Sequence, residues 1–480
     1  MSFSMTPRVR RGLALCAVVL ATGGLVLYRA PAAAFHGDPL ARRATGVLAS
    51  GKNSAAFSGP GVRGMISLSH SRLLAGEPTS IYADVRLVAD ATHGTDEKRA
   101  PIAMAVVLDT SGSMSGAKIT EARRSVLRLL EQMADDDEIA LVRYSDTSEL
   151  VQPLARVGSV RASLAAKVAE LGAGGGTNIP AGLSHGLGAL DASARGRVRR
   201  IVLVSDGLDG TRVQAEELAR TSFSSGITVS SLGVGLDFDQ SYMAGVAQTG
   251  HGNFAFVKDG AALASFLRRE LEETAGTTIE GARVRLELPE GVRFVAASGA
   301  DAVVTDGEVE LVVGSLFAGD ERRVIVELAG DGLRAASSPL YVEATASWTP
   351  VGGSPTSARA RRLEMLATTS ASDVERGKDG AVLASATSVI ASRRQIEAAE
   401  AYARGDVARA AEIADKNEEA LAAAISAAPA AAATSLAAQR SAYRGLAKGF
   451  ADVAPDSEAG RAAAKEATAM DVANMQRSTF

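Results

Sequence analysis

The chain has 480 residues, enough for about three domains, and 46% of them are hydrophobic, which is ordinary for globular proteins. Its 51 basic and 55 acidic residues nearly cancel, so the chain lacks the basic surplus of a nucleic-acid-binding protein, and no RNA- or DNA-binding motif is present. The single cysteine, Cys16, lies in an apolar run, which excludes a disulfide framework and a cysteine-based zinc site within one chain.

The N-terminal segment has the pattern of an export signal. Three arginines between residues 8 and 11 precede an uncharged run over residues 12–28, and Ala32 to Ala34 provide small residues suited to cleavage. The run is slightly long for a cleaved signal and at the lower limit for a membrane span, so residues 1–34 are predicted as either a signal peptide or a retained anchor. In both cases the arginines stay in the cytoplasm, and we expect the rest of the chain to be exported to the periplasm or the cell surface.

Residues 35–100 predict a linker and a small β-structure. Residues 35–61 are rich in Ala, Gly and Ser without a sustained period, which is typical of a flexible linker. Two alternating segments, at residues 66–69 and 81–88, flank a turn at residues 75–78, so residues 62–100 are predicted as a β-hairpin. Because an isolated hairpin is marginally stable in water, we expect it to form part of a β-sandwich with strands further along the chain.

The segment from Pro101 to Met114 combines a buried strand with a polar turn. Residues 102–108 form a continuous apolar run, which is typical of a parallel-sheet strand that is buried on both faces. Asp109, Ser111 and Ser113 then place a carboxylate and two hydroxyls in alternation on a turn, and the residues that follow have helical spacing. In an open α/β sheet such a turn lies at the carboxyl edge, where these sheets bind ligands.

Two later segments end at the same predicted edge. Gly174 to Asn178 is a glycine loop that includes Thr177 and leads into a helix, and residues 201–206 form a second buried strand that ends in Asp206. Strands and helices alternate through residues 101–276, which predicts an α/β fold with a Rossmann-like, mostly parallel sheet and helices on both faces. An acidic run at residues 135–137 is either a second cation site or a solvated loop.

The five oxygen-bearing residues resemble the metal-ion-dependent adhesion site of the von Willebrand factor type A (VWA) domain. Asp109, Ser111, Ser113, Thr177 and Asp206 match the family positions in order and in context. The resemblance implies a VWA fold for residues 101–276 and a bound Mg²⁺, or Mn²⁺ or Ca²⁺ in its place. It implies that the two serines bind the metal directly, and that the other three residues do so directly or through water. It also implies a protein partner that offers an Asp or Glu carboxylate to the remaining coordination position.

Three other patterns do not fit a catalytic site. Residues 112–120 imitate a phosphate-binding P-loop, but three residues instead of four separate the glycines, and Lys118 does not directly follow the second glycine. Residues 182–186 match Gly-x-Ser-x-Gly, but they lie inside a predicted helix and not at a strand-to-helix turn. The five histidines show no metal-ligand spacing. We therefore predict no catalytic residues and no enzymatic activity of the protein's own.

The last two hundred residues predict two further regions. Residues 277–360 alternate apolar and polar side chains between turns, which indicates an antiparallel β-sandwich. Residues 361–480 are alanine-rich and helical, either as a hairpin or bundle or as a tetratricopeptide-like repeat array. This layout resembles uncharacterised exported bacterial VWA proteins and, more loosely, inter-alpha-trypsin inhibitor heavy chains.

Together these features predict an exported, metal-dependent module for protein binding or adhesion. Two alternatives remain at this point. One is a VWA partner subunit of an AAA-type ATPase, similar to the chelatase subunits that carry such domains; the N-terminal leader argues against it. The other is an enzyme of unknown chemistry, although the motifs supply no nucleophile paired with a base.

Overall fold

The computed structural model describes residues 52–91, 100–193, 196–206, 209–236, 238–257, 260–331, 333–335 and 338–477. The predicted signal or anchor at residues 1–34, including the apolar run at 12–28, lies outside the described residues, as does most of the predicted linker. Within the described residues the chain forms three β-sheets and eleven α-helices. None of these helices is long and apolar enough to cross a lipid bilayer.

The strands are numbered in chain order. They are β1 Ser54–Gly59, β2 Val62–Leu68, β3 Arg72–Leu74, β4 Thr79–Ala89, β5 Ile102–Asp109, β6 Glu138–Tyr144, β7 Ser148–Arg156, β8 Val198–Ser205, β9 Ile227–Val234, β10 His251–Val257, β11 Thr277–Glu287, β12 Val292–Ser298, β13 Asp301–Thr305, β14 Glu308–Phe317, β15 Glu321–Gly330, β16 Leu340–Pro350, β17 Thr356–Arg359 and β18 Leu363–Thr368.

The helices are numbered in the same way, and a short 3₁₀ turn at Gly112–Met114 precedes the first of them. They are α1 Ala117–Gln132, α2 Val157–Ala169, α3 Ile179–Leu190, α4 Arg212–Ser224, α5 Gln240–Thr249, α6 Gly260–Ala275, α7 Ala371–Arg376, α8 Gly380–Ala403, α9 Val407–Ala427, α10 Ala430–Asp452 and α11 Glu458–Arg477.

A six-stranded sheet in the order β10-β9-β8-β5-β6-β7 forms the α/β part of the chain. Its neighbouring strands are parallel except β6 and β7. Every residue of β5 is buried because alternate side chains enter two different apolar clusters. Met104 and Val106 pack with α1, α2 and α6, whereas Ala105 and Val107 pack with α3, α4 and α5. Helices therefore cover both faces of the sheet, which confirms the predicted fold class.

The two remaining sheets pack face to face as a sandwich. A five-stranded sheet has the order β1-β2-β4-β15-β12, and a seven-stranded sheet has the order β13-β14-β11-β16-β18-β3, with β17 paired to β16. One apolar cluster joins the two sheets and includes Trp348. In the first sheet β4 pairs with β15 over ten residues, so strands from both sides of the α/β part in sequence share one sheet. In the second sheet, β3 pairs with β18.

Two of the predicted boundaries are wrong. The linker prediction for residues 35–61 fails at its end, because Ser54–Gly59 forms β1, with Ala55 and Phe57 buried on one face. The small residues of this strand hide the alternation, and Phe57 fits there because Gly64 on β2 has no side chain to meet its ring. The boundary at residue 360 is also too early, because β18 at Leu363–Thr368 belongs to the sandwich.

The C-terminal helices form a bundle around α8. This helix packs against α9, α10 and α11, including two that are not its neighbours in sequence. In a repeat array each unit would contact only its neighbours, so the arrangement is that of a bundle. The bundle also contacts the rest of the chain: Arg393 of α8 pairs with Glu327 of β15, and Lys465 of α11 donates to the Phe238 carbonyl at 2.8 Å.

Candidate metal-binding site

Three loops meet at the carboxyl edge of the six-stranded sheet. The first follows β5, the second precedes α3, and the third begins at Asp206 after β8. The Gly112 N–H donates to the Gly175 carbonyl at 2.9 Å, and the Gly174 N–H donates to the Thr110 carbonyl at 2.8 Å. These two backbone bonds hold the first and second loops side by side.

Glycine is required in the second loop for steric reasons. Gly175 has a φ of +83°, and a Cβ atom there would lie 2.4 Å from a carboxylate oxygen of Asp146. Any other residue would be strained by the backbone angle and would push this carboxylate away. The glycine run noticed in the sequence thus allows close approach of the backbone to its neighbours.

Asp109 is a fully buried acid of the site. Its side chain accepts hydrogen bonds from the Ser111 N–H at 2.8 Å and from the Ser205 hydroxyl at 2.6 Å. Burial raises the pKa of the Asp109 carboxyl, and the nearby Asp206 carboxylate raises it further, while the bonds from the two serines oppose the rise. The negative charge of Asp206 therefore acts on the Asp109 carboxyl across the site.

A chain of hydrogen bonds continues from the first loop to the third. The hydroxyls of Ser111 and Ser113 lie 3.0 Å apart, and the Ser113 hydroxyl donates to Asp206 Oδ1 at 2.8 Å. The other oxygen of Asp206, Oδ2, forms an ion pair with the ammonium of Lys118 from the first turn of α1. The Asp206 side chain is fully buried, so the two partners replace the water that it has lost.

Thr177 lies on the second loop, half-buried, directly before the start of α3. Asn178 caps this helix by accepting from the Ala181 N–H at 3.1 Å. Asp209 of the third loop accepts from the Ile179 N–H at 2.9 Å, which ties the second and third loops together. Among the described residues no hydrogen bond joins Thr177 to the other four predicted ligands.

The structure thus links four of the five predicted residues directly and places the fifth on an adjoining loop. The set offers two carboxylates and three hydroxyls, which are the hard oxygen donors that Mg²⁺, Mn²⁺ and Ca²⁺ prefer. Neither this site nor any other place in the described part of the chain has a group of three or more His, Cys, Asp or Glu side chains that could hold a metal. A divalent cation fits this mixed donor set because it would offset the repulsion between the negative charges of Asp109 and Asp206.

Sequence reasoning missed three residues that shape this edge: Lys118, Ser205 and Asp209. The sequence places Lys118 only within the imitation P-loop, although one signal points to a further role. A cation in the first turn of a helix is disfavoured by the helix dipole, and a nearby acidic side chain offsets this cost. Ser205 and Asp209 gave no such signal, because their bonds depend on how loops distant in sequence meet.

The acidic run at residues 135–137 has protein partners throughout. Asp137 is buried and accepts from the N–H groups of Ala134 and Ile102, at 2.8 and 3.3 Å. Asp135 pairs with Arg161, and Asp136 pairs with Arg156. The run therefore forms the connection between α1 and β6, and these contacts favour the loop interpretation over a second cation site.

The Gly-x-Ser-x-Gly pattern lies within α3, where the hydroxyl-bearing Ser184 is exposed. Gly182 and Gly186 are buried, and a Cβ atom on either would lie within 3 Å of side-chain atoms of β5. Close packing of the helix on the sheet accounts for both glycines. The setting differs from the sharp turn that presents a nucleophilic serine.

Comparisons with known proteins agree with this architecture. The family model described as "von Willebrand factor type A domain" matches residues 104–269. An uncharacterised protein of the cyanobacterium Synechocystis is 26% identical over 278 residues, which cover 55% of this chain and 66% of that protein. Human inter-alpha-trypsin inhibitor heavy chain H3 is 24% identical over 244 residues, which cover 48% of this chain and 27% of the heavy chain.

A solved structure resembles almost the whole described chain. The protein titled "von Willebrand factor type A from Catenulispora acidiphila" superposes with a TM-score of 0.67 at 18% identity, covering 89% of this chain and 98% of that one. At this identity the likeness concerns the fold alone. The sandwich and helical regions described above therefore occur together with such an α/β domain in another solved protein.

Proposed function

Because residues 104–269 form a von Willebrand factor type A domain, we propose that this protein captures an acidic residue of a protein partner through a divalent cation. The cation would be held by Asp109, Ser111, Ser113, Thr177 and Asp206, with Mg²⁺ as the first choice and Mn²⁺ or Ca²⁺ as alternatives. VWA domains mediate protein–protein interaction, which supports a protein as the partner. We further propose that the partner binds through one of its carboxylates, which would coordinate the metal.

The observation that carries the proposal is the contact between Ser113 and Asp206. The two residues are separated by 93 positions in sequence, yet their side chains meet at 2.8 Å. Asp109 lies behind them with both carboxylate oxygens already hydrogen-bonded, which fixes its orientation. Neutral hydroxyls and two acids thus converge at the edge where open α/β sheets bind ligands.

Each residue has a distinct role in this proposal. Ser111 and Ser113 offer neutral oxygens, Asp109 and Asp206 offer the negative charge, and Thr177 completes the set from the second loop. A bound divalent cation would supply a Lewis-acidic coordination position for the carboxylate of the partner. The protein residues orient the donors and exclude bulk water from Asp109 and Asp206, which are almost completely buried.

Export is a separate part of the proposal. We propose that residues 1–34 direct the protein across the membrane, either as a cleaved signal or as an anchor through residues 12–28, on the basis of their sequence pattern alone. A reporter enzyme that is active only in the cytoplasm, fused after Gly61, should remain inactive. Activity of this reporter would contradict export and would favour the alternative of a cytoplasmic ATPase partner.

A binding experiment tests the central part. Immobilised full-length protein is incubated with a cell-envelope extract in excess Mg²⁺ or in chelator, and the captured proteins are compared. We expect specific capture in Mg²⁺, loss of capture in chelator, and the same loss for Asp109→Ala in Mg²⁺. The matched control is Asp191→Ala, which removes an exposed carboxylate at the end of α3 in the same domain.

Capture that survives both the chelator and Asp109→Ala would contradict a metal-bridged mechanism. In that case the domain would bind its partner through another surface.

A further inference from the structure

Lys118 occupies an electrostatically unfavourable position in its own helix. It lies in the first turn of α1, where the positive end of the helix dipole repels a cation. The residue before the helix, Gly116, provides no side-chain cap, and the first turn contains no acidic residue. The first turn of the helix therefore gives Lys118 no acidic partner, and an acid outside the helix would offset the unfavourable dipole.

The stabilising partner is Asp206 of the candidate metal site. The ammonium pairs with Asp206 Oδ2, while Asp206 Oδ1 accepts the hydroxyl of Ser113. The Asp206 side chain is fully buried, whereas 28% of the Lys118 side chain is exposed. Lys118 thus reaches from the rim of the site to its buried acid and keeps an open path to solvent.

The fold leaves room for this reach. A Cβ atom at Gly235, after β9, would lie 3.1 Å from Lys118 Cε and 3.3 Å from its ammonium nitrogen. Gly235 also has a φ of +78°, which other residues rarely adopt. The lysine stem therefore runs close along the backbone at a glycine, and a side chain at residue 235 would obstruct it.

A divalent cation bound at this edge would place a second positive charge beside Asp206. Lys118 and a divalent cation would both interact with Asp206, and two positive charges at one buried acid repel each other strongly in a low-dielectric setting. We propose that Lys118 is the internal counter-charge of Asp206 and competes with the divalent cation, so that binding of the metal displaces the ammonium toward solvent.

This inference rests on the proposed function and adds a means of regulation to the same site. The ion pair stabilises the loops when the cation is scarce and sets a threshold concentration for metal binding. The displaced ammonium then lies at the rim, where it adds positive charge to the surface that an acidic partner approaches. Lys118 is thus a residue that tunes the site without being one of its ligands.

The test compares Mn²⁺ binding to the full chain by titration calorimetry in the wild type and in Lys118→Met. We expect Lys118→Met to bind Mn²⁺ at least about tenfold more tightly, because removal of the ammonium leaves the carboxylates uncompensated. Its melting temperature in chelator should be lower than that of the wild type, and excess Mn²⁺ should close most of this gap. Lys118→Arg, which keeps the charge, should bind no more tightly than the wild type.

The matched control is Arg124→Met, which removes one positive charge from the same helix. Arg124 is exposed and pairs with Glu121, so screening should leave Mn²⁺ affinity close to that of the wild type. Equal or weaker Mn²⁺ binding by Lys118→Met would overturn the inference, while binding that still requires Asp109 would leave the proposed function intact. If Asp109→Ala, made without any change at Lys118, bound Mn²⁺ as tightly as the wild type, both this inference and the proposed function would be overturned.

Discussion

The edge of the six-stranded sheet and the helical bundle each bury an acidic side chain, but the surroundings of the two acids differ. At the edge of the six-stranded sheet, Asp206 is fully buried but has a hydroxyl on one oxygen and an ammonium on the other. In the helical bundle, Asp471 of α11 is equally buried and accepts from the Tyr443 hydroxyl through Oδ1. Its Oδ2 has no hydrogen-bond partner within the described residues.

The two surroundings have different consequences for charge. Burial raises the pKa of Asp471 to about 8, despite opposing hydrogen bonds from Tyr443 and Ser392, so its carboxyl is mostly protonated at neutral pH. Asp206 instead has a full positive charge beside it. The comparison teaches that burial alone does not make a cation site; the donors and charges around the acid decide what it can bind.

The largest expected effect concerns pH and Asp471. The carboxyl is protonated in the folded state up to about pH 8 but ionises near pH 4 when the chain unfolds. Its contribution to the free energy of unfolding is therefore fully present below about pH 4 and is lost as the pH rises through about 8. A difference of one between the pKa in the folded and in the unfolded chain corresponds to about 1.4 kcal/mol, so the loss should reach a few kcal/mol.

The measurement is urea unfolding followed by far-ultraviolet circular dichroism, which reports the helices, at pH values from 5 to 9. Asp471→Asn cannot ionise, so the stability difference between the wild type and this variant should shift steadily against the wild type as the pH rises. Parallel pH profiles for the two proteins would show that Asp471 is ionised in the folded state. Burial in the bundle would then not decide the charge of this carboxyl.

A smaller effect is expected at Thr177. Its hydroxyl is a single neutral donor on the second loop, so Thr177→Ala should weaken Mg²⁺ binding by roughly 10–100-fold without abolishing it, as is typical when one supporting group of a metal site is lost. Titration calorimetry with Mg²⁺ measures this change. Thr221→Ala, at an exposed position on α4, is the control and should bind Mg²⁺ like the wild type. Unchanged affinity in Thr177→Ala would exclude this residue from the metal site.

The smallest effect is expected at Ser184. The side chain is exposed on α3, so Ser184→Ala should change the free energy of unfolding by less than about 0.5 kcal/mol and leave metal and partner binding unchanged. Thermal melting and the capture experiment measure both properties. If the wild type catalysed a reaction and Ser184→Ala abolished its turnover, the enzyme alternative would be supported. The catalytic site would then lie at α3 and not at the sheet edge.

The architecture was predictable where local pattern and burial coincide. The strand, turn and helix around Asp109 were correctly predicted because β5 is apolar on both faces and ends abruptly at a carboxylate. The edge strand β7 was missed because Gln152 and Pro153 interrupt its alternation and its pairing with β6 is irregular. Strand β1 was missed because its buried face consists of one alanine and one phenylalanine between small residues.

The partners of the buried acids were not predictable from the sequence. Lys118 and Asp206 are 88 residues apart, and their contact depends on how α1 and the loop after β8 meet above the sheet. Asp471 lies in an alanine-rich helix, where an isolated acid has the pattern of a solvent-facing residue. Its burial follows from the packing of α11 against α8 and α10, which helical periodicity alone does not specify.

The central claim is that Asp109 belongs to a metal site, and thermal melting of the wild type and Asp109→Ala tests it most directly. Each protein is melted in excess Mg²⁺ and in chelator. The wild type should gain about 2.7 kcal/mol of stability when Mg²⁺ is a hundredfold above its dissociation constant. Asp109→Ala should melt cooperatively, with some loss of stability because the Ser205 hydroxyl and the Ser111 N–H lose their acceptor, and should show no shift with Mg²⁺. Equal Mg²⁺-dependent shifts in both proteins would mean that the metal binds elsewhere, and would contradict the account.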